Sequence, residues 1–210
     1  LAPTRGLDRV ILVTNAKFAG HFERWAADYR ARKAKLHFTI VNDGSTDELN
    51  KLGAVGDLHL VLQRERIDDD IIVVAGDNLF SQSVEAFGEF CRQQNAPVVG
   101  LYDVGDLQAV TKYNAIDVDA EGRITHFEEK PKNPHSTLTA IALYFYPRAA
   151  LPLIQQYVAE GNNPDQPGRL VEWMYPRTPF YTWRVPGIWF DIGSQESLEE
   201  ANRVFAQFAR

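Results

Sequence analysis

The sequence predicts an α/β protein built on a mixed, mainly parallel sheet with a small antiparallel addition. Three observations carry this. The short β-branched runs Val10-Ile-Leu-Val-Thr14 and Ile71-Ile-Val-Val-Ala75 have the composition of strands buried on both faces of a parallel sheet. Amphipathic helical stretches separate such runs up to residue 102, the β-α-β alternation of right-handed crossovers. From residue 103 onward strand signals follow one another across short turns, the mark of antiparallel pairing.

The first strand ends at Asn15, and residues 18–35 place Phe18, Phe22, Trp25, Ala26 and Tyr29 at helical spacing, with Lys and Arg crowding the end. A second strand over 36–41 closes on the turn Asn42-Asp-Gly44. Leu52-Gly-Ala-Val-Gly-Asp57 then leads into a helix expected over 57–66. Its small residues suit close approach of a ligand to backbone, though two glycines are also ordinary in loops. Asp68-Asp-Asp70 reads as a solvated turn rather than a metal site. After the strand at 71–75, a helix over 84–94 and a strand over 97–102 complete the parallel half. Strands are expected over 113–118 and 123–128 around Gly122, and again over 138–146. Helices follow over 149–160 and 169–174, a strand over 180–185, and a second strand-to-turn junction at Pro186-Gly-Ile-Trp-Phe-Asp-Ile-Gly193. The helix from 194 to 208 has Ser194, with Ser197 behind it, as its N-cap.

With 210 residues the chain can bury a substantial core as one domain, residues 1–102 forming one half and 103–210 the other. A net charge of -6 argues against nucleic acid or anionic membrane as partner. The lone Cys91 excludes an intrachain disulfide and a multi-cysteine metal site, and suits a cytoplasmic location. The apolar runs are too short to span a bilayer. No Walker loop, dinucleotide fingerprint or Gly-x-Ser-x-Gly elbow is present, and the five histidines show no metal-ligand spacing.

Three groups of residues could carry chemistry. Gly76-Asp77-Asn78 and Phe190-Asp191-Ile192-Gly193 each put a carboxylate at the end of an apolar strand, where open α/β sheets bind ligands. Two such carboxylates match what Mg²⁺ requires, since it keeps several waters and takes one or two carboxylates plus phosphate oxygens. Locally, Asp77 could equally cap a helix starting near residues 81–84. The third group, Phe127-Glu-Glu-Lys-Pro-Lys132, could hold a phosphate and sugar hydroxyls, or be an exposed charged turn.

In this order, Val74-Ala-Gly-Asp-Asn78, Phe127-Glu-Glu-Lys-Pro131, Leu143-Tyr-Phe-Tyr-Pro147 and Trp189-Phe-Asp-Ile-Gly-Ser194 resemble the sugar-phosphate nucleotidyltransferases, nearest to the glucose-1-phosphate thymidylyltransferase-like branch. The resemblance runs over nearly the whole chain. It implies a Rossmann-like three-layer α/β/α fold and transfer of a nucleotidyl group from an NTP (dTTP or UTP) to a sugar 1-phosphate (glucose 1-phosphate). It further implies Mg²⁺ held by Asp77 and Asp191, with Gly53 and Ala54 beside the nucleotide base. Asn114, Glu129, Lys130 and Trp189 fall on the sugar-phosphate side, Lys130 carrying the phosphate. A homo-oligomer is compatible with this resemblance.

Three departures bear on that expectation. Nothing here matches the glycine-rich loop and Pro-Lys motif with which the family opens, so the native polypeptide is expected to begin roughly 35–50 residues upstream, enough for one further β-α unit. Asn114 and Ala142 stand where the family usually has glycine, which puts substrate identity in question. Two alternatives stay open: a non-catalytic sugar-phosphate or nucleotide-sugar binding protein lacking the triphosphate loop, and a metal-dependent glycosyltransferase on a similar fold.

Overall fold

The computed structural model describes residues 6–32 and 36–207. They divide into two units, Ala2–Asp69 with Leu151–Leu170 and Asp70–Ala150 with Val171–Arg210. No helix among the described residues is long and apolar enough to cross a membrane.

In the first unit, β1 (Arg9–Thr14) and β2 (His37–Asn42) pair in parallel, in register from Arg9 opposite His37 to Thr14 opposite Asn42. The helix between them, α1 (Ala19–Arg32), packs on β2 through the rings of Trp25 and Tyr29 against Phe38. Ala26 is buried, but Phe18, Phe22 and Trp25 are 43%, 36% and 44% exposed, so the aromatic stripe is only partly covered. The last three residues of the helix expected to reach 35 lie outside the described residues. α2 (Ala54–Arg64) buries Val55, Val61 and Leu62 and packs on β1 and on α5 (Leu151–Ala159). It starts earlier than the expected residue 57, because the Pro164 carbonyl caps its first turn by accepting from the Val55 and Gly56 N–H groups, at 2.8 and 3.3 Å.

The second unit is organised on a four-stranded sheet in the order β3 (Ile71–Val74), β8 (Leu138–Tyr146), β5 (Val98–Asp103), β9 (Tyr181–Arg184). β5 and β9 are parallel, and β8 runs antiparallel to both of its neighbours. Of the antiparallel addition expected from residue 103 onward, β8 is therefore inserted within the sheet instead of appended to it. This corrects the reading of β3 as a parallel strand buried on both faces: among the described residues it pairs only with β8, antiparallel, and all four of its residues are half-buried. A β-branched run records apolar surroundings, not strand direction or place in the sheet.

β8 and β5 supply Ile141, Leu143, Phe145 and Val98 to the core, and α3 (Glu85–Gln94) closes it with Phe87 and Cys91. Each fully buried side chain of this size contributes about 1.5–3 kcal/mol. Phe87 stacks edge-on against Trp183 of β9 with ring centroids 5.5 Å apart. Burial pushes the Cys91 thiol up to about 12, which leaves it unreactive.

The hairpin β6 (Asn114–Val118) and β7 (Ile124–Glu129) turns at Gly122, where φ is +78°. Its turn end is tied to the sheet by Ile124 N–H donating to Phe180 O and Thr182 N–H donating to Gly122 O, both at 2.8 Å. β10 (Trp189–Asp191) forms the strand expected before the 191–193 turn, whereas the short elements β4 (Asn78–Phe80) and α4 (Leu107–Val110), the latter capped by Asp106, have no counterpart in the sequence reading. In the acidic run 68–70, Asp70 Oδ1 accepts the Arg148 N–H at 2.8 Å at the start of a 3-10 turn, Arg148–Ala150. α6 (Pro167–Met174) contains the boundary between the units. α7 (Gln195–Phe205) begins on the expected N-cap: Ser194 and Ser197 form a reciprocal capping box.

Candidate active site

The two candidate acids meet through a pair of three-residue strands. β4 and β10 run antiparallel with Asp191 opposite Asn78, Phe190 opposite Leu79 and Trp189 opposite Phe80. Asp77 immediately precedes Asn78, in the turn before β4. The Ile192 N–H donates to the Asp77 carbonyl at 2.9 Å, which extends the pairing past the strand end. Asp77 therefore lies in a turn leading into β4. The alternative of a cap for the next helix is excluded, because α3 starts at Glu85 with Val84 in the cap position.

Asp77 is exposed and Asp191 half-buried. Loss of water first, and the Asp77 charge second, push the Asp191 carboxyl above the usual carboxylate range. No lysine or arginine among the described residues forms an ion pair with either acid. Two like charges held together with no cationic side chain to balance them, and offering only oxygen donors, fit a hard divalent ion completed by water and phosphate. Among the described residues no group of three or more His, Cys, Asp or Glu could hold a metal by itself, so substrate oxygens would have to complete the shell.

One wall beside the acids is aromatic. Trp189 is nearly buried between Tyr102 and Tyr113, with both ring centroids 5.5 Å away. Burial, and then the Asp191 charge, raise the Tyr113 hydroxyl above its ordinary value. The Tyr113 carbonyl accepts the Lys130 N–H at 2.8 Å, which brings the start of the Lys130 turn to this wall. Lys130 itself is exposed and takes φ +52°, the left-handed region that non-glycine residues seldom adopt.

Glu129 pairs with Asn114 across the hairpin and raises the buried Tyr144 hydroxyl further above the level set by burial. Asn114 is buried, and its amide is spent on β8: Oδ1 accepts the Ala140 N–H at 2.7 Å and the Thr139 hydroxyl at 3.2 Å, while Nδ2 donates to Ala140 O at 2.9 Å. Asp77, Asp191, Trp189 and the hairpin bearing Asn114, Glu129 and Lys130 thus belong to one unit.

Gly53 and Ala54 belong to the other unit. Gly53 has φ +80°, and a Cβ on it would lie 2.5 Å from Asp165 Cα and 2.6 Å from Pro164 O. The close approach to its backbone is made by the 164–165 loop, and Lys51 holds that loop through an ion pair with Asp165 at 3.2 Å. Asp57, in the first turn of α2, has a carboxyl pushed up to about 6 by burial and by Asp43.

Asn78 borders Asp77 and Tyr113 borders Asp191, while Tyr102 packs on Trp189; the sequence assigns none of the three a role. The Asp-Asn dipeptide was visible there, but only the β4–β10 register gives the amide a place in the site.

An α/β protein with a pair of acids at strand ends is the class that this fold and site define. A family model for nucleotidyl transferases matches residues 2–207, and the chain belongs to that family. It is 26% identical over 136 residues to a glucose-1-phosphate adenylyltransferase of Clostridium acetobutylicum, covering 63% of this chain and 36% of that protein. The same enzyme of Bacillus subtilis is 26% identical over 139 residues, covering 63% of this chain and 36% of its own length. The chain thus spans about a third of the length of the curated relatives it matches. Among solved structures, a UDP-glucose pyrophosphorylase complexed with UDP-glucose superposes with a TM-score of 0.76 at 18% identity, covering 95% of this chain and 81% of that one. An apo UDP-glucose pyrophosphorylase gives 0.74 at 18%, covering 95% and 81%. At such identities the superpositions establish the Rossmann-like fold.

Proposed function

We propose that the protein joins an NTP to a sugar 1-phosphate, releasing pyrophosphate and an NDP-sugar. A phosphate oxygen of the sugar 1-phosphate forms the new bond to the α-phosphorus of the NTP, and the bond from that phosphorus to the pyrophosphate oxygen breaks in line. Asp77 and Asp191 are the residues that would hold Mg²⁺, which when bound supplies positive charge to the reacting phosphoryl groups. Lys130 pairs with the sugar phosphate, and Glu129 accepts hydrogen bonds from the sugar hydroxyls. Trp189 walls the sugar with its ring. Gly53 and Ala54 sit beside the base. dTTP or UTP with glucose 1-phosphate are the substrates this reading favours.

The observation that carries the reading is the β4–β10 register, which sets Asp191 beside Asp77 with their mutual charge unbalanced. The enzymes named among the relatives and neighbours, acting on glucose 1-phosphate or UDP-glucose, support it by analogy.

A panel of four NTPs and several sugar 1-phosphates, with Mg²⁺ and the native full-length polypeptide, tests the reading through pyrophosphate release. At least one pair should turn over. Silence across the panel with retained binding of an NDP-sugar would replace catalysis by a binding role.

A further inference from the structure

One residue touches both acids of the candidate site. The Asn78 backbone is paired with Asp191 in the β4–β10 ladder. Its side-chain Nδ2 donates to Asp77 Oδ1 at 2.9 Å, and its Oδ1 accepts the indole N–H of Trp189 at 2.6 Å.

The direction of this chain is forced. An indole nitrogen donates and cannot accept, whereas an ionised carboxylate accepts and cannot donate. The amide between them has one low-energy orientation, with oxygen toward Trp189 and nitrogen toward Asp77. Flipping it would set two donors against each other and an amide oxygen against a carboxylate. The indole is itself immobile, at 9% exposure and wedged between Tyr102 and Tyr113. Orientation is thus passed from a packed ring, through an amide, to an exposed aspartate that would otherwise sample its rotamers freely and swing away from Asp191. The only polar atom of Trp189 is spent inward, so the ring alone is left for contact with substrate.

We propose that Asn78, oriented by Trp189, is the positioning residue that holds Asp77 against Asp191 as a preformed pair for a divalent cation. This rests on the assignment of the two acids as the metal site. Partners that orient metal ligands typically carry 10- to 100-fold in metal affinity.

The test is Mn²⁺ binding without substrate, read by electron paramagnetic resonance on the full-length protein. Asp77→Asn should abolish the site. Trp189→Phe keeps the aromatic packing but removes the donor, and should weaken Mn²⁺ by about 10-fold, as should Asn78→Ala. The double variant should be no weaker than Asn78→Ala alone, since both changes break one chain. Wild-type affinity in Trp189→Phe, or losses that multiply in the double variant, would overturn the proposal. Equal binding by wild type and Asp77→Asn would overturn the metal assignment and this proposal with it. A second readout needs no metal and covers a failure of Trp189→Phe to fold: the Trp189 indole proton should exchange slowly in the wild type and rapidly in Asn78→Ala. Unchanged exchange would count against the hydrogen bond itself.

Discussion

Asp191 stands opposite Asn78 in a three-residue ladder, and that pairing places its carboxylate within the field of Asp77. The fold therefore carries an uncompensated repulsion at the site where chemistry is expected. A group whose folded pKa is raised contributes its stability below the unfolded pKa and loses it as pH rises through the folded value. Asp191→Asn should therefore raise the melting temperature by about 1–3 °C at pH 7.5, a small gain because water still screens part of the half-buried group. The gain should vanish at pH values below the ordinary carboxylate range. Pyrophosphate release should fall by roughly three orders of magnitude or more in the same variant, as in Asp77→Asn. Scanning calorimetry and a turnover assay on one sample check both.

Asp57 gives a pH dependence with a defined window. Burial and Asp43 push its carboxyl up to about 6, above the ordinary aspartate value of 3.8, so the folded state holds the proton more tightly than the unfolded one. Stability from this group is complete below pH 4 and is lost as pH rises through about 6. Asp57→Asn should thus stabilise the protein by about 1 kcal/mol at pH 8, after allowance for solvent screening. The gain should disappear near pH 4, and urea unfolding at the two pH values measures the difference.

Gly53 and Gly76 should differ sharply in their response to alanine. At Gly53 the added methyl meets the backbone of 164–165 at 2.5 Å with φ at +80°, whereas nothing lies within 4 Å at Gly76. Gly53→Ala should cost about 2–4 kcal/mol and Gly76→Ala less than about 1 kcal/mol. Denaturant midpoints separate the two.

Asn114→Ala should leave the buried N–H and C=O of Ala140 without their side-chain partner, at a cost of about 2–3 kcal/mol. The same lock fastens the open end of the hairpin that carries Glu129 and Lys130, so the KM for sugar 1-phosphate should rise more than kcat falls. Equal effects on both parameters would assign Asn114 to general stability.

The sequence revealed whatever local chemistry writes. Apolar runs ending in an acid marked Asp77 and Asp191, and Ser194 with Ser197 marked a helix start. What escaped depended on partners distant in the chain. β4 is three residues long and exists through its pairing with β10, so no propensity announces it. The start of α2 follows from a carbonyl supplied by Pro164, and the fate of the Asn114 amide from β8. The β-branched run of β3 reads as a parallel strand, but composition is silent on direction. In α1 the helical period was legible, but the exposure of Phe18, Phe22 and Trp25 was not, because periodicity identifies a face without saying how much of it is covered.

Pyrophosphorolysis is the most direct measurement of the central claim, that Asp77 and Asp191 together serve nucleotidyl transfer to a sugar phosphate. Full-length protein would be incubated with Mg²⁺, labelled pyrophosphate and dTDP-glucose or UDP-glucose, beside the Asp77→Asn and Asp191→Asn variants. The account requires labelled NTP from the wild type and a loss of roughly three orders of magnitude or more in both variants. Label appearing at the wild-type rate in either variant, or in no sample with either NDP-glucose, would contradict it.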